Sequence, residues 1–144
     1  MAIHALVYCS QVAPWVTVEQ LEDLVRDAAT HNSIAGVTGV LLCDGTRFLQ
    51  YVEGPEDGVA LAFARILNAT SHFDVEELGR RQGALRKFPY WSMHWIPIEQ
   101  VDLWIAISSE WRNLNTRRED SMFLPPTGIE RIATLVRPYV REWN

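Results

Sequence analysis

Two apolar runs flanking Asp44-Gly45 constrain this chain more than any other feature. Residues 37–43 are nearly continuously apolar, as in a central strand, and Asp-Gly between two such runs is a tight hairpin turn into a second strand over residues 47–53. Period-two alternation puts Phe48, Gln50 and Val52 on one face of that strand and Leu49, Tyr51 and Glu53 on the other. One choice of face buries Gln50. A buried amide left without partners costs about 1–3 kcal/mol, so the sequence that keeps Gln50 there must supply a polar side chain or a polar ligand. Tyr8, in the apolar segment Leu6-Val7-Tyr8-Cys9, is one candidate partner, and a bound heterocycle is the other.

The remaining elements arrange themselves around that hairpin. Ile3–Cys9 reads as a first strand. Thr17-Val18-Glu19-Gln20 is a capping box, and Val18, Leu21, Val25 and Ala28 continue at helical spacing, predicting a helix from about 18 to 30 with His31 and Asn32 at its C-terminal end. Asn32 also suits a left-handed helix cap. Gly36 and Gly39 fall in the following strand. Gly54-Pro55 opens a second helix, with Pro at the first helical position, and Val59, Ala62, Phe63 and Ile66 form its apolar stripe. An edge strand is expected between 73 and 85, and Trp91, Met93 and Trp95 alternate as a fifth strand with Trp91 and Met93 on one face. The predicted fold is α+β: a ferredoxin-like mixed five-stranded sheet with two helices on one face, plus C-terminal helices. Residues 1–97 form the domain and 98–144 a helical extension. Val101, Trp104, Ile107 and Trp111 mark a third helix, and Thr127-Gly128-Ile129-Glu130 opens a fourth that Pro138 should kink or end. The fourth helix's stripe, from Ile129 to Val140 and Trp143, covers the free face of the sheet or an oligomer interface.

Composition narrows the function. A formal charge of −5 without a basic face argues against nucleic acid. No apolar run approaches the roughly 20 residues that span a bilayer, and the chain opens on a strand rather than a charged leader, so a cytoplasmic protein is expected. Cys9 and Cys43 read as small buried hydrophobes. His4, His31, His72 and His94 show no metal-ligand spacing, and no nucleophile-base order suggests an enzyme. A Rossmann or P-loop glycine fingerprint is absent.

Several ordered segments across residues 3–97 resemble the BLUF family of blue-light sensors using FAD: Val7-Tyr8-Cys9-Ser10, His31-Asn32 with Gly36-Val37-Thr38-Gly39, Phe48-Leu49-Gln50-Tyr51-Val52-Glu53-Gly54, Arg65-Ile66, His72, and Arg86-Lys87-Phe88 with Trp91-Ser92-Met93. The resemblance implies a flavin, FAD with FMN as the alternative, lodged between the first two helices. It implies that Tyr8 and Gln50 make a hydrogen-bonded chain to the flavin, and that light moves an electron and a proton from Tyr8 and leaves the Gln50 amide rotated or tautomerised. His31, Asn32, Arg65 and His72 would contact the cofactor, while Trp91 and Met93 relay the change to the surface. With no effector domain in view, signalling would pass to a separate protein partner or through a homo-oligomer. Two departures stand out: Ala69 and Ser71 occupy positions where many relatives carry Asp and Arg. They motivate an alternative, a non-photoactive interaction module on the same fold with weak or no flavin binding.

Overall fold

The computed structural model describes residues 2–112, 114 and 124–140. Its elements run β1 (Ile3–Val12), α1 (Val18–Ala35), β2 (Thr38–Cys43), β3 (Arg47–Gly54), α2 (Glu56–Asn68), β4 (His72–Gly83), β5 (Trp95–Pro97), α3 (Gln100–Ile107) and α4 (Gly128–Val140). The strands form one mixed five-stranded sheet in the order β4-β1-β3-β2-β5. β1 pairs antiparallel with β3 and β4, β2 pairs antiparallel with β3, and β5 runs parallel to β2. This is the ferredoxin-like α+β arrangement, with β5 added at one edge.

Both faces of the sheet are covered, which explains the unbroken apolar character of the central hairpin. On one face Leu6, Tyr8, Leu41, Phe48 and Val52 meet Leu21 of α1 and Val59 and Ala62 of α2. On the other, Val7, Val40, Leu42, Leu49 and Tyr51 meet Leu103 of α3 and Ile129, Ile132 and Val136 of α4. The two helices expected to share a face do so, and α3 and α4 pack against the reverse.

Several boundaries differ from expectation. α1 runs to Ala35, past residue 30, because Gly36 at φ 75° caps it. Thr30-His31-Asn32-Ser33 are poor helix formers, and tertiary contacts override that weakness. Asn32 therefore lies inside the helix and Gly36, not Asn32, takes the left-handed cap position. Gly36 is correspondingly outside the strand, whereas Gly39 is within β2. β1 extends to Val12, and Pro55 is the N-cap of α2, one residue before its first turn. α3 ends at Ile107, so Trp111 lies beyond it, and the Trp111 indole N–H donates to the Ile107 carbonyl at 3.0 Å. α4 begins with the expected capping box of Thr127 and Glu130, and it continues through Pro138 to Val140. Trp143 lies outside the described residues.

The largest correction concerns the fifth strand, which spans only Trp95–Pro97. Residues 91–94 lie against β2 without regular pairing: Gly39 N–H donates to Trp91 O at 3.0 Å and Leu41 N–H to His94 O at 2.9 Å. Two donors two residues apart thus meet acceptors three residues apart. The extra residue works as a bulge does, reversing the phase of the side chains. Met93 consequently enters the α1/α2 face, while Trp91 packs on the α3/α4 face. They do not share one face.

Candidate functional site

Between α1 and α2, above β1 and β3, lies a cavity of about 330 Å³. That volume is within the range of small-molecule pockets. Its floor is set by strand register. Tyr8 and Gln50 are directly paired across β1 and β3, so both side chains project from the same face at the same height. The Tyr8 hydroxyl donates to Gln50 Oε1. The Gln50 amide nitrogen faces Met93 Sδ at 3.4 Å. Tyr8 is 2% exposed and Gln50 6%, so either polar group would be an orphan without these contacts.

Burial pushes the Tyr8 phenol far above its ordinary ionisation range, with the neighbouring Cys9 adding a smaller push in the same direction. Tyr8 therefore remains a protonated donor at every physiological pH.

The polar end of the cavity joins the two helices. Asn32 of α1 donates from Nδ2 to Ser92 O at 2.9 Å and accepts at Oδ1 from Arg65 of α2 at 3.2 Å. One buried amide thus links α1, α2 and the segment bearing Met93. The apolar walls come from Leu21, Val25 and Ala28 on one side and Ala62 and Ile66 on the other.

His72 closes the end beneath α2. Its Nε2 lies 2.7 Å from Ile66 O, and a carbonyl can only accept, so Nε2 carries the hydrogen. In the neutral ring Nδ1 then accepts from the Ser10 hydroxyl at 2.6 Å. The ring also contacts Tyr8 and Phe48, with centroids 5.7 and 5.9 Å away. Both nitrogens are engaged, so His72 presents mainly its ring to the cavity.

Of the side chains singled out in the sequence, Tyr8, Gln50, Asn32, Arg65, His72 and Met93 line this one cavity. His31 does not; it is exposed on α1, with Nε2 3.7 Å from Asp27 Oδ1. Trp91 lies across the sheet, stacked on His94 with centroids 4.5 Å apart. Ala69 and Ser71 both line the cavity. The sequence reading overlooked Ser10, although it lies two residues from Tyr8 on the same strand face. It also overlooked Glu53, a fully buried carboxylate whose only sequence signal is a charge inside an apolar strand.

Among the described residues no helix is long and apolar enough to cross a membrane, and no group of three His, Cys, Asp or Glu side chains could hold a metal ion.

The family model for BLUF, sensors of blue-light using FAD, matches residues 3–94. The blue light- and temperature-regulated antirepressor BluF of Escherichia coli (strain K12) is 32% identical over 86 residues, covering 60% of this chain and 21% of that protein. The chain thus spans about a fifth of that relative's length. Among solved structures, Klebsiella pneumoniae BlrP1 with FMN and cyclic diGMP is 36% identical, with a TM-score of 0.61 over 66% of this chain and 26% of that one. BlrB, a BLUF protein in its dark state, is 25% identical, with a TM-score of 0.68 over 97% of this chain and 96% of that one.

Proposed function

The chain belongs to the BLUF family, sensors of blue light using FAD, and from that premise we propose that it is a blue-light photoreceptor that binds FAD non-covalently between α1 and α2. The observation that carries this reading is the Tyr8–Gln50–Met93 chain of contacts at the floor of a cavity with apolar walls and one polar end.

The residues present fit a flavin. A flat heterocycle needs apolar faces and polar edges, and here aliphatic side chains of α1 and α2 stand opposite one another while Gln50, Asn32 and Arg65 offer amide and guanidinium groups. Asn32 and Arg65 would hold the polar edge, and His72 would close the wall. Ser71 and Ala69 offer no charge there, which leaves Arg65 and Asp27 as the charged side chains beside the neutral groups of the lining. The flavin, when bound, supplies blue-light absorption and an electron acceptor.

The protein's part follows from the hydrogen bonds. Tyr8 resists ionisation, so its proton leaves only together with an electron, and the nearest base is Gln50 Oε1. The proton and electron return to Tyr8 as the Gln50 amide rotates, so a neutral amide is left with donor and acceptor exchanged: the nitrogen turns toward Tyr8 and the oxygen toward Met93. A thioether sulfur accepts but cannot donate. The exchanged amide has therefore lost its bond to Met93, one of the ties that position the segment carrying Trp91 and His94.

That loop connects the cavity to the α3/α4 face, so residues 1–97 act as the sensing domain and 98–144 as the element that presents the signal to a separate protein partner or to another copy of the chain. The reading places the protein in the cytoplasm and assigns no catalysis, nucleic-acid binding or membrane binding to these residues.

The deciding experiment is the visible spectrum of purified protein, dark and after blue illumination. A flavin spectrum with a small, reversible red shift is expected, and the mass of the released cofactor should be that of FAD rather than FMN. A flavin spectrum that light leaves unchanged rejects the switch. Colourless protein that also fails to take up added FAD rejects the binding site and favours an interaction module.

A further inference from the structure

Glu53 is the fully buried carboxylate on the reverse face of β3, three residues beyond Gln50 and hence on the opposite side of the strand. Its carboxylate collects four donors. Oε1 accepts from the Tyr51 hydroxyl at 2.9 Å, Arg81 at 3.0 Å and the Lys87 amide at 2.9 Å, and Oε2 accepts from the Phe88 amide at 2.6 Å. Arg81 also donates to the Tyr51 hydroxyl at 3.1 Å and to Leu85 O at 3.0 Å. Phe88 then packs edge-on against Tyr51, with centroids 5.0 Å apart. A buried charge is expensive to keep, and four donors imply a specific task rather than generic packing.

Two of the four donors, the Lys87 and Phe88 amides, belong to the start of one segment without regular secondary structure, and Arg81 reaches Leu85 O just before it. Arg86 fastens the same region to the end of α1 and to β2, donating to Gly36 O at 2.7 Å, Thr38 Oγ1 at 2.8 Å and Glu53 O at 3.2 Å. At the other end the segment meets the cavity through Asn32 to Ser92 O and Gln50 to Met93 Sδ. β3 therefore grips residues 86–94 twice, from opposite faces of the sheet: firmly by a charge at Glu53, weakly by a sulfur contact at Gln50. Trp91 lies between the two grips, stacked on His94, whose ring centroid is 6.4 Å from that of Tyr139 on α4.

We infer that Glu53 is a positioning residue of the light response: by fixing the Lys87–Phe88 end of this segment, it makes release of Met93 by Gln50 move Trp91 and His94 against α4 rather than loosen the whole loop. The inference rests on the photoreceptor reading, and it separates photochemistry at Tyr8 and Gln50 from transmission through residues 86–94.

The test is hydrogen exchange of the flavin-loaded full chain, lit and dark, read by mass spectrometry on peptides covering residues 86–94 and α4, with the flavin spectrum recorded on the same samples. The unaltered protein should show a red shift together with a lit-minus-dark difference in both peptides. Glu53→Gln turns an acceptor facing the Phe88 amide or the Lys87 amide into a donor; it should keep the red shift, raise dark exchange in 86–94 and lose the lit-minus-dark difference in α4. If Glu53→Gln does not fold, Lys87→Pro removes one tether and leaves the Glu53–Arg81 pair whole, and it should shrink the α4 difference while sparing the red shift. An α4 difference that survives in the folded variant overturns the inference, as does loss of the red shift itself, which would place Glu53 in the photochemistry. Absence of a red shift in the unaltered protein defeats the photoreceptor reading instead.

Discussion

The amide nitrogen of Gln50 stands 3.4 Å from the sulfur of Met93, a polar contact that ties the cavity floor to the irregular segment before β5. A neutral hydrogen bond contributes about 0.5–1.5 kcal/mol, and a thioether is a weak acceptor, so the contact belongs at the low end. Met93→Leu conserves volume and removes the acceptor. The red shift should persist, with thermal return to the dark state altered up to roughly fivefold, the equivalent of about 1 kcal/mol. Gln50→Leu should instead bind flavin and show no red shift. Time-resolved absorbance after a blue flash checks both, and an unchanged light response in Gln50→Leu defeats the proposed switch.

Gly58, in the first turn of α2, lets that helix approach the end of α1. A Cβ there would lie 2.3 Å from Ala35 O, a backbone atom with nowhere to move, so the helices would have to separate. Gly58→Ala should destabilise the fold by about 1–3 kcal/mol, as overpacking does, seen as a lower urea midpoint. Because α1 and α2 are the cavity walls, flavin affinity should fall as well, by roughly tenfold for each 1.4 kcal/mol of lost contact. Fluorescence titration with the flavin measures it.

Much of this site is legible in the sequence because sheet register is local arithmetic. Asp44-Gly45 and strict alternation placed Gln50 on one face, and its pairing with Tyr8 needed only the neighbouring strand. The placement of Trp91 and Met93 was not legible, since their side chains obey a bulge created by Gly39 and Leu41 of another strand. His31 was misplaced for a related reason: α1 continues five residues past its expected end at residue 30, and helical phase turns His31 outward while Asn32 turns in. Glu53 was invisible as a site because three of its four partners, Arg81 and the Lys87 and Phe88 amides, are distant in sequence and two of them are backbone.

Tyr8 and Tyr51 are both held above the usual tyrosine value of 10.0, in each case chiefly by burial, with Cys9 adding to Tyr8 and Glu53 to Tyr51. In the unfolded chain both phenols ionise near pH 10, whereas in the folded chain they keep their protons, so above that pH the unfolded state binds fewer protons. Stability contributed by these two groups is thus complete below pH 10 and falls as pH rises further. In an alkaline titration the phenolate absorbance of Tyr8 and Tyr51 should appear only with unfolding. Tyr8→Phe should lessen the alkaline loss of stability, which denaturant melts at pH 9 and pH 11 would measure.

His72 offers the last discrimination, between holding the flavin and holding the helix that would hold it. Its two ring nitrogens are committed to Ser10 and to Ile66 O, so a direct bond to a ligand requires breaking one of them. His72→Phe preserves the ring beside Tyr8 and Phe48 while leaving the buried Ser10 hydroxyl and the Ile66 carbonyl without those partners. The orphaned Ser10 hydroxyl costs about 1–3 kcal/mol, whereas Ile66 O keeps the Ala69 N–H at 3.3 Å, so the flavin-free protein should lose about 1 kcal/mol or more in urea unfolding. Arg65 shares the last turn of α2 with Ile66, and its guanidinium should lose its position relative to Asn32, weakening flavin binding in parallel. Reduced affinity with unchanged flavin-free stability would instead make His72 a direct ligand that leaves Ile66 O when the flavin enters.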